Sequence, residues 1–186
     1  MIFHWSSAWI FLVNFTFTLY ALVFLTRFAL SWSRIDPRHP IIQGIGRMTW
    51  PLLRPFYRYG GGHRLRRDWW SLVWALFLCW VDLEILSLWV GIHALPWPAL
   101  ILAAGVKGVT LLDDLYIFTL IVGVVLSWIT AYPGHPMLSF MDAINEPLLR
   151  PLRRLMPVTA GFDFSPVLAL AVLFFINILL PSVRMR

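Results

Sequence analysis

Six charged side chains stand inside or beside apolar runs: Arg27, Asp82, Glu84, Lys107, Asp113 and Asp114. A charge at the centre of a membrane helix costs roughly 2.5 kcal/mol or more, so each needs a partner, a water path or a functional role. Asp82 and Glu84, in WVDLEI, are the sharpest candidates for proton or cation handling. Two residues apart, they do not share a helix face, which argues against a paired acid and base or a two-carboxylate metal site. Asp82 is expected to be neutral, or paired with Lys107 or Arg27; a cation or proton pathway is the alternative. Arg27 stands about a turn from the end of its apolar run, where its stem allows snorkelling. Asp113 and Asp114 open the apolar run 111–128, and acids suit a helix N-terminus.

Other catalytic chemistry finds little footing. The five histidines (4, 39, 63, 93 and 135) have no zinc-site spacing. One cysteine, Cys79, excludes an intrachain disulfide and a Cys cluster. Gly60, Gly61 and Gly62 lack the flanking strand and the Lys-Ser/Thr of a phosphate loop, and read as a hinge. No catalytic residue, metal ligand or cofactor is expected. What remains is arginine. PLLRP occurs twice, at 51–55 and 147–151. In the second copy the apolar side chains of 148–156 fall on one half of a helix, and Arg150, Arg153 and Arg154 on the other. That is the pattern of a helix lying in the headgroup plane, opened by Pro136 and kinked at Pro151. Arg54, Arg58, Arg150, Arg153 and Arg154 are the candidate contacts to anionic lipid or partner proteins, at about 1 kcal/mol each near an anionic leaflet.

These residues need elements to hold them. Of 186 residues, 60% are hydrophobic and 13% charged, against about 45–50% and 25% in soluble domains. That composition excludes an ordinary soluble enzyme, a disordered chain and a disulfide scaffold. Lipid is the expected solvent, and the fold class is all-α membrane protein. Four spans are expected, at about 8–32, 69–92, 111–130 and 164–181, each near the roughly 20 residues that cross the hydrocarbon core. Residues 97–109 form an approach to the third span, lying on the surface or extending that helix; a fifth span there is the rival reading, against which the distribution of basic residues argues. Ser165 is expected as an N-cap, with Pro166 at the first helical position and Asp163 facing the positive helix end. Eleven of the fifteen basic residues lie in the segments 33–68 and 131–164, which puts both in the cytoplasm and both termini outside. The net charge of +6 is thus a matter of orientation and headgroups, with no direct nucleic-acid binding expected.

The two segments are also related to each other. A shift of 96 residues aligns 25–58 with 121–154 without a gap, twelve of the 34 positions being identical. A one-residue gap then brings Asp68 opposite Asp163. The chain therefore reads as two halves, 1–93 and 94–186, each a span, an amphipathic segment and a span. Both copies run the same way through the bilayer, as parallel repeats.

The run EPLLRPLRRLMPVTAGFDFSPVLALAVLFFINILL, with LSW upstream, closely resembles the YggT family of small bacterial membrane proteins, which has YlmG-type and chloroplast relatives. Pro147, Leu148, Arg150, Pro151, Arg153, Arg154, Gly161, Asp163, Phe164, Ser165 and Pro166 carry the match. The first copy departs from it, with Tyr57 at the first Arg of the RR pair and GGGHRLRRDWWS before the second span. The resemblance implies an inner-membrane protein without established catalytic residues, linked to osmotic tolerance, cell division and, in plastids, assembly. It favours a non-enzymatic organiser, with lipid, membrane-protein partners or a homo-oligomer as what it meets. The alternative is a cation channel or transporter component.

Overall fold

The computed structural model describes residues 3–33, 36, 38–59, 68–90, 96–129, 135–155 and 163–180. Within them are six helices and no strand: α1 (Phe3–Leu30), α2 (Pro40–Tyr59), α3 (Trp69–Val90), α4 (Trp97–Ile129), α5 (Pro136–Leu155) and α6 (Ser165–Leu179). Three are long and apolar enough to cross a membrane, over Ala8–Leu30, Trp69–Trp89 and Trp97–Ile129. The fourth expected span is α6, apolar but only 15 residues long, about 22 Å by helix rise. The hinge glycines 60–62 lie outside the described residues.

Helix α4 settles how residues 97–109 behave: they extend the helix, which runs 33 residues without a break, about 50 Å. Its length follows from having two sets of partners. On its first half, Leu100 and Ala104 pack with Cys79 and Leu83 of α3 and Ala21 of α1. On its second half, Leu120 packs with Leu149 of α5 and with Ala169 and Leu173 of α6. Neither Gly105 nor Gly108 breaks it, because helix is the conformation in which an apolar backbone satisfies its own hydrogen bonds. Gly108 is where α3 and α4 approach closely, since a Cβ there would come within 2.5 Å of Leu76 Cδ2. Gly108→Leu is expected to destabilise the α3–α4 contact by about 2 kcal/mol through overpacking. A companion Leu76→Ala should restore much of the loss in the thermal midpoint.

The expectation for Asp113 and Asp114 needs correction. They lie mid-way along α4, not at a helix N-terminus, since the residues before them continue the helix instead of turning into it. Asn177 of α6 donates to Asp113 Oδ2 at 3.1 Å and to Asp114 Oδ1 at 3.5 Å. A side-chain amide, not a helix dipole, is what faces these acids.

Helices α2 and α5 are 20 residues each and run through their internal prolines, 51 and 55 in one and 147 and 151 in the other. Each opens at a proline after a histidine, the position where a missing N–H is harmless. His135 Nδ1 accepts from the Met137 N–H at 3.2 Å, a local cap of the α5 start. One face of each is buried. Leu53 of α2 lies in a cluster with Phe24, Leu25 and Ala75, and Phe140, Met141, Ala143 and Ile144 of α5 lie with Ala29 and Leu30 of α1.

Candidate functional site

Two polar sites join the helices, and the arginine faces lie outside them. The first is where α1, α2 and α3 meet. Arg27 donates through Nε to Asp68 Oδ2 at 2.7 Å and through Nη1 to Thr49 Oγ1 at 2.6 Å. Its Nη2 reaches the Tyr57 hydroxyl at 3.4 Å, and that hydroxyl donates to Asp68 Oδ1 at 2.5 Å. Arg27 therefore does not snorkel freely, as its position in the run implied. The α1–α3 hairpin brings a carboxylate 41 residues away against it, and its side chain is only 20% exposed.

Burial pushes the Asp68 carboxyl up, but hydrogen bonds from Tyr57 and Arg27 and the Arg27 charge outweigh it and hold the group below the usual range. The Tyr57 hydroxyl is pushed up to about 12, first by burial and then by the bond and charge of Asp68. A raised folded pKa adds stability that is complete below the unfolded value of about 10 and disappears as pH climbs through 12. Wild-type protein is accordingly expected to lose thermal stability between pH 10 and about 12, and Tyr57→Phe to flatten that part of the profile. Asp68 works at the other end: with its folded pKa depressed, its contribution holds above about 3.8 and fades as pH falls through the folded value.

The corresponding place in the second half is built with the charge elsewhere. In the 96-residue register Tyr57 matches Arg153 and Arg27 matches Gly123; Asp68 matches Asp163 across the gap. Arg153 Nε donates to Asp163 Oδ2 at 2.9 Å, so the cation reaching the carboxylate comes from α5 there and from α1 in the first half. Gly123 leaves room for Met141 and Asn145, whose atoms lie 3.6 and 3.8 Å from where its Cβ would be. Asn145, matched with Thr49, accepts from Thr119 Oγ1 at 2.7 Å and ties α5 to α4. Ser165 is not the N-cap: Phe164 holds that position, and Ser165 is the first residue of α6. Asp163, one residue before the N-cap position, accepts the Ser165 N–H through Oδ1 at 2.9 Å, and Pro166 is the second helical residue, one later than expected. Burial alone would raise the Asp163 carboxyl, but the bonds from Ser165 and Arg153 hold it low.

The second site is an intramembrane crossing. The Lys107 ammonium of α4 pairs with Asp82 Oδ2, and Asn14 Nδ2 of α1 approaches the same oxygen at 3.4 Å. Of the two partners expected for Asp82, Lys107 is the one brought to it. Asp82 Oδ1, Glu84 Oε2 and Asp113 Oδ1 are buried and without a partner among the described residues. Glu84 is not brought to Asp82, as its helix face required. Asp82 and Asn177 also match in the register, so the acid and the amide exchange helices between halves. Among the described residues, no three His, Cys, Asp or Glu side chains are grouped to hold a metal.

The five candidate arginines are not equivalent. Arg150 pairs with Glu146 at 2.5 Å, and Arg153 with Asp163. Arg54, Arg58 and Arg154 are exposed and make no ion pair among the described residues. Sequence reasoning had no signal for Thr49 or Asn14 as partners. For the Arg27 network a signal existed: the Arg/Gly and Tyr/Arg exchanges fall at two pairs of aligned positions, 27/123 and 57/153.

Long apolar helices that carry few charges define a multi-pass helical membrane protein. Its membership is narrower: the chain belongs to the CCB3/YggT family, whose model matches residues 6–89 and 102–184. An uncharacterized protein of Pseudomonas aeruginosa is 33% identical over 179 residues, 94% of this chain and 88% of its own. The Escherichia coli K12 protein YggT, also uncharacterized, is 30% identical over 175 residues, 90% and 86% of the two chains. An uncharacterized Haemophilus influenzae protein is 30% identical over 159 residues, 84% and 82%. No solved structure matches the chain.

Proposed function

We propose that this protein is a non-enzymatic organiser of the bacterial inner membrane. In this reading α1, α3, α4 and α6 span the bilayer as two parallel span–amphipathic helix–span units, with both termini outside the cytoplasm. Helices α2 and α5 present arginines to anionic lipid or partner proteins at the cytoplasmic face, a role that would fit osmotic tolerance or cell division. The observation that carries it is that the entry to α2 meets the first turn of α5. His39, just before α2, has Nε2 at 3.0 Å from the Pro136 carbonyl and 3.3 Å from Ser139 Oγ, and stacks on Phe140. Ile41, Ile42 and Ile45 pack into the same cluster as Met141 and Ile144. Helices in mutual contact belong on one side of a bilayer, which supports the charge-based orientation. The family model's two matched stretches, of nearly equal length, support the duplication.

Reporters fused after residues 60 and 158 test the arrangement; opposite compartments overturn it. Co-purification from native membranes tests the role: Gln at Arg54, Arg58 and Arg154 should reduce the recovered lipid or partners while insertion is normal, and unchanged recovery counts against it. A second reading, a cation pathway, draws on the unpartnered oxygens of Asp82, Glu84 and Asp113. Cation flux in reconstituted liposomes, abolished by Asp82→Asn, would favour it.

A further inference from the structure

Duplicated helices that keep the same buried face are free to diverge on the other, and α2 and α5 have done so in charge. Helix α2 carries Arg47, Arg54 and Arg58 and no acid anywhere in Pro40–Tyr59. Helix α5 carries Arg150, Arg153 and Arg154, but also Asp142 and Glu146. The positions aligned with those two acids are Gly46 and Trp50. Two of the three α5 arginines are held by carboxylates of their own half, Glu146 and Asp163. All nine acidic residues of the chain are described, and none lies within ion-pair reach of the α2 arginines.

The three α2 arginines stand at i, i+7 and i+11, along a single line of the helix. All are exposed, opposite a face where Thr49 and Leu53 are fully buried. Beside them Met48 and Trp50 remain about half exposed, with Trp50 stacked on Tyr57. A soluble polyanion would leave that apolar area in water. A phospholipid surface matches both parts, phosphates for the guanidinium groups and the glycerol region for Met48 and the indole. The Tyr20 hydroxyl donates to the Met48 carbonyl at 3.1 Å, and Phe56 packs on Trp70 and Trp74. These contacts fix α2 beside the aromatic end of the α1–α3 hairpin, and amphipathic rings collect at the membrane interface.

We infer that α2 is the helix that binds acidic phospholipid headgroups, through Arg47, Arg54 and Arg58, while α5 has two of its three arginines held by carboxylates within the protein. This rests on the membrane-surface role proposed above and assigns it to one of the two helices.

The test uses full-length protein in neutral detergent micelles, with phosphatidylglycerol or phosphatidylcholine added and the retained lipid quantified. Wild type should retain phosphatidylglycerol at least about tenfold over phosphatidylcholine. Arg47→Gln, Arg54→Gln and Arg58→Gln should each reduce that ratio about fivefold, the equivalent of ~1 kcal/mol per basic residue. Combined, they should abolish it, whereas Lys at all three positions preserves it. Gln at Arg150, Arg153 and Arg154 should change the ratio less than about twofold. Selectivity that survives in the α2 variants overturns the inference, as does displacement by inorganic phosphate as effective as by a short-chain acidic lipid. Equal loss in the α2 and α5 variants sinks the assignment but leaves the membrane-surface role standing; no loss in either sinks both.

Discussion

Lys107→Ala is expected to destabilise the folded protein by about 3–5 kcal/mol, the range for stripping a buried charge of its counter-charge. The Asp82 side chain is 1% exposed, and with Lys107 gone only the Asn14 amide, at 3.4 Å, remains near its bonded oxygen. Ionised, that carboxylate would be buried without compensation; protonated, it surrenders the attraction that draws α3 to α4. The reverse truncation should be milder. With Asp82→Asn, the Lys107 ammonium retains a flexible stem and some exposure through which to reach polar surroundings. The double change Asp82→Asn with Lys107→Met should recover most of the loss, since replacing a buried pair by matched neutral groups is often close to neutral. Reversible unfolding in mixed micelles measures all three, and a coupling under about 1 kcal/mol would mean that the pair is not what joins these helices. The same set bears on the cation pathway: that reading needs Asp82→Asn to keep stability while losing flux, and it gives Lys107 no structural part.

Arg27→Ala should be nearly as damaging, at about 3 kcal/mol, because one guanidinium satisfies two groups on α2 and the carboxylate just before α3. Thr49, Tyr57 and Asp68 all lose a donor with it. Lys at position 27 cannot replace a planar fork that serves three acceptors, so Arg27→Lys should recover only part of the loss. The contrast lies in the other half. Arg153 makes the corresponding contact to Asp163 while 52% exposed, so Arg153→Gln should cost less than about 1 kcal/mol, as surface ion pairs do. Thermal midpoints of Arg27→Ala and Arg153→Gln, compared in one detergent, give the answer; equal losses would mean that burial is not what separates the two sites.

The departure of the first half from the family pattern, Tyr57 where the second half has Arg153, reads from sequence as a weakened or altered motif. The structure has it altered: the carboxylate before α3 keeps a cation, supplied from α1 instead of from the amphipathic helix. Arg27 was legible as an intramembrane charge, but its partner was not, because a contact between residues 41 apart exists only once the hairpin has closed. Asp82 was legible as needing a partner, and Lys107 was one of two that charge could nominate. The choice depends on how far along α4 the α3 helix packs, and a close approach at Gly108 sets that offset. The error over Asp113 and Asp114 has a similar origin. Two adjacent acids resemble the start of a helix, and nothing local to them pairs them with Asn177 of α6, which by itself reads as a residue that bonds between helices.

Composition and periodicity act residue by residue along a helix, and four properties follow from them without any packing. The chain belongs in lipid, certain segments are apolar around their whole circumference, two others carry arginine on one face, and the halves share a register. Which charges are neutralised is a different kind of question, answered by the assembled helices. Packing gave Asp82 to Lys107, Asp68 to Arg27 and Asp163 to Arg153, and left the arginines of α2 without an ion pair among the described residues. Electrostatic pairing depends on distance and burial between different helices, and neither quantity exists until the helices have come together.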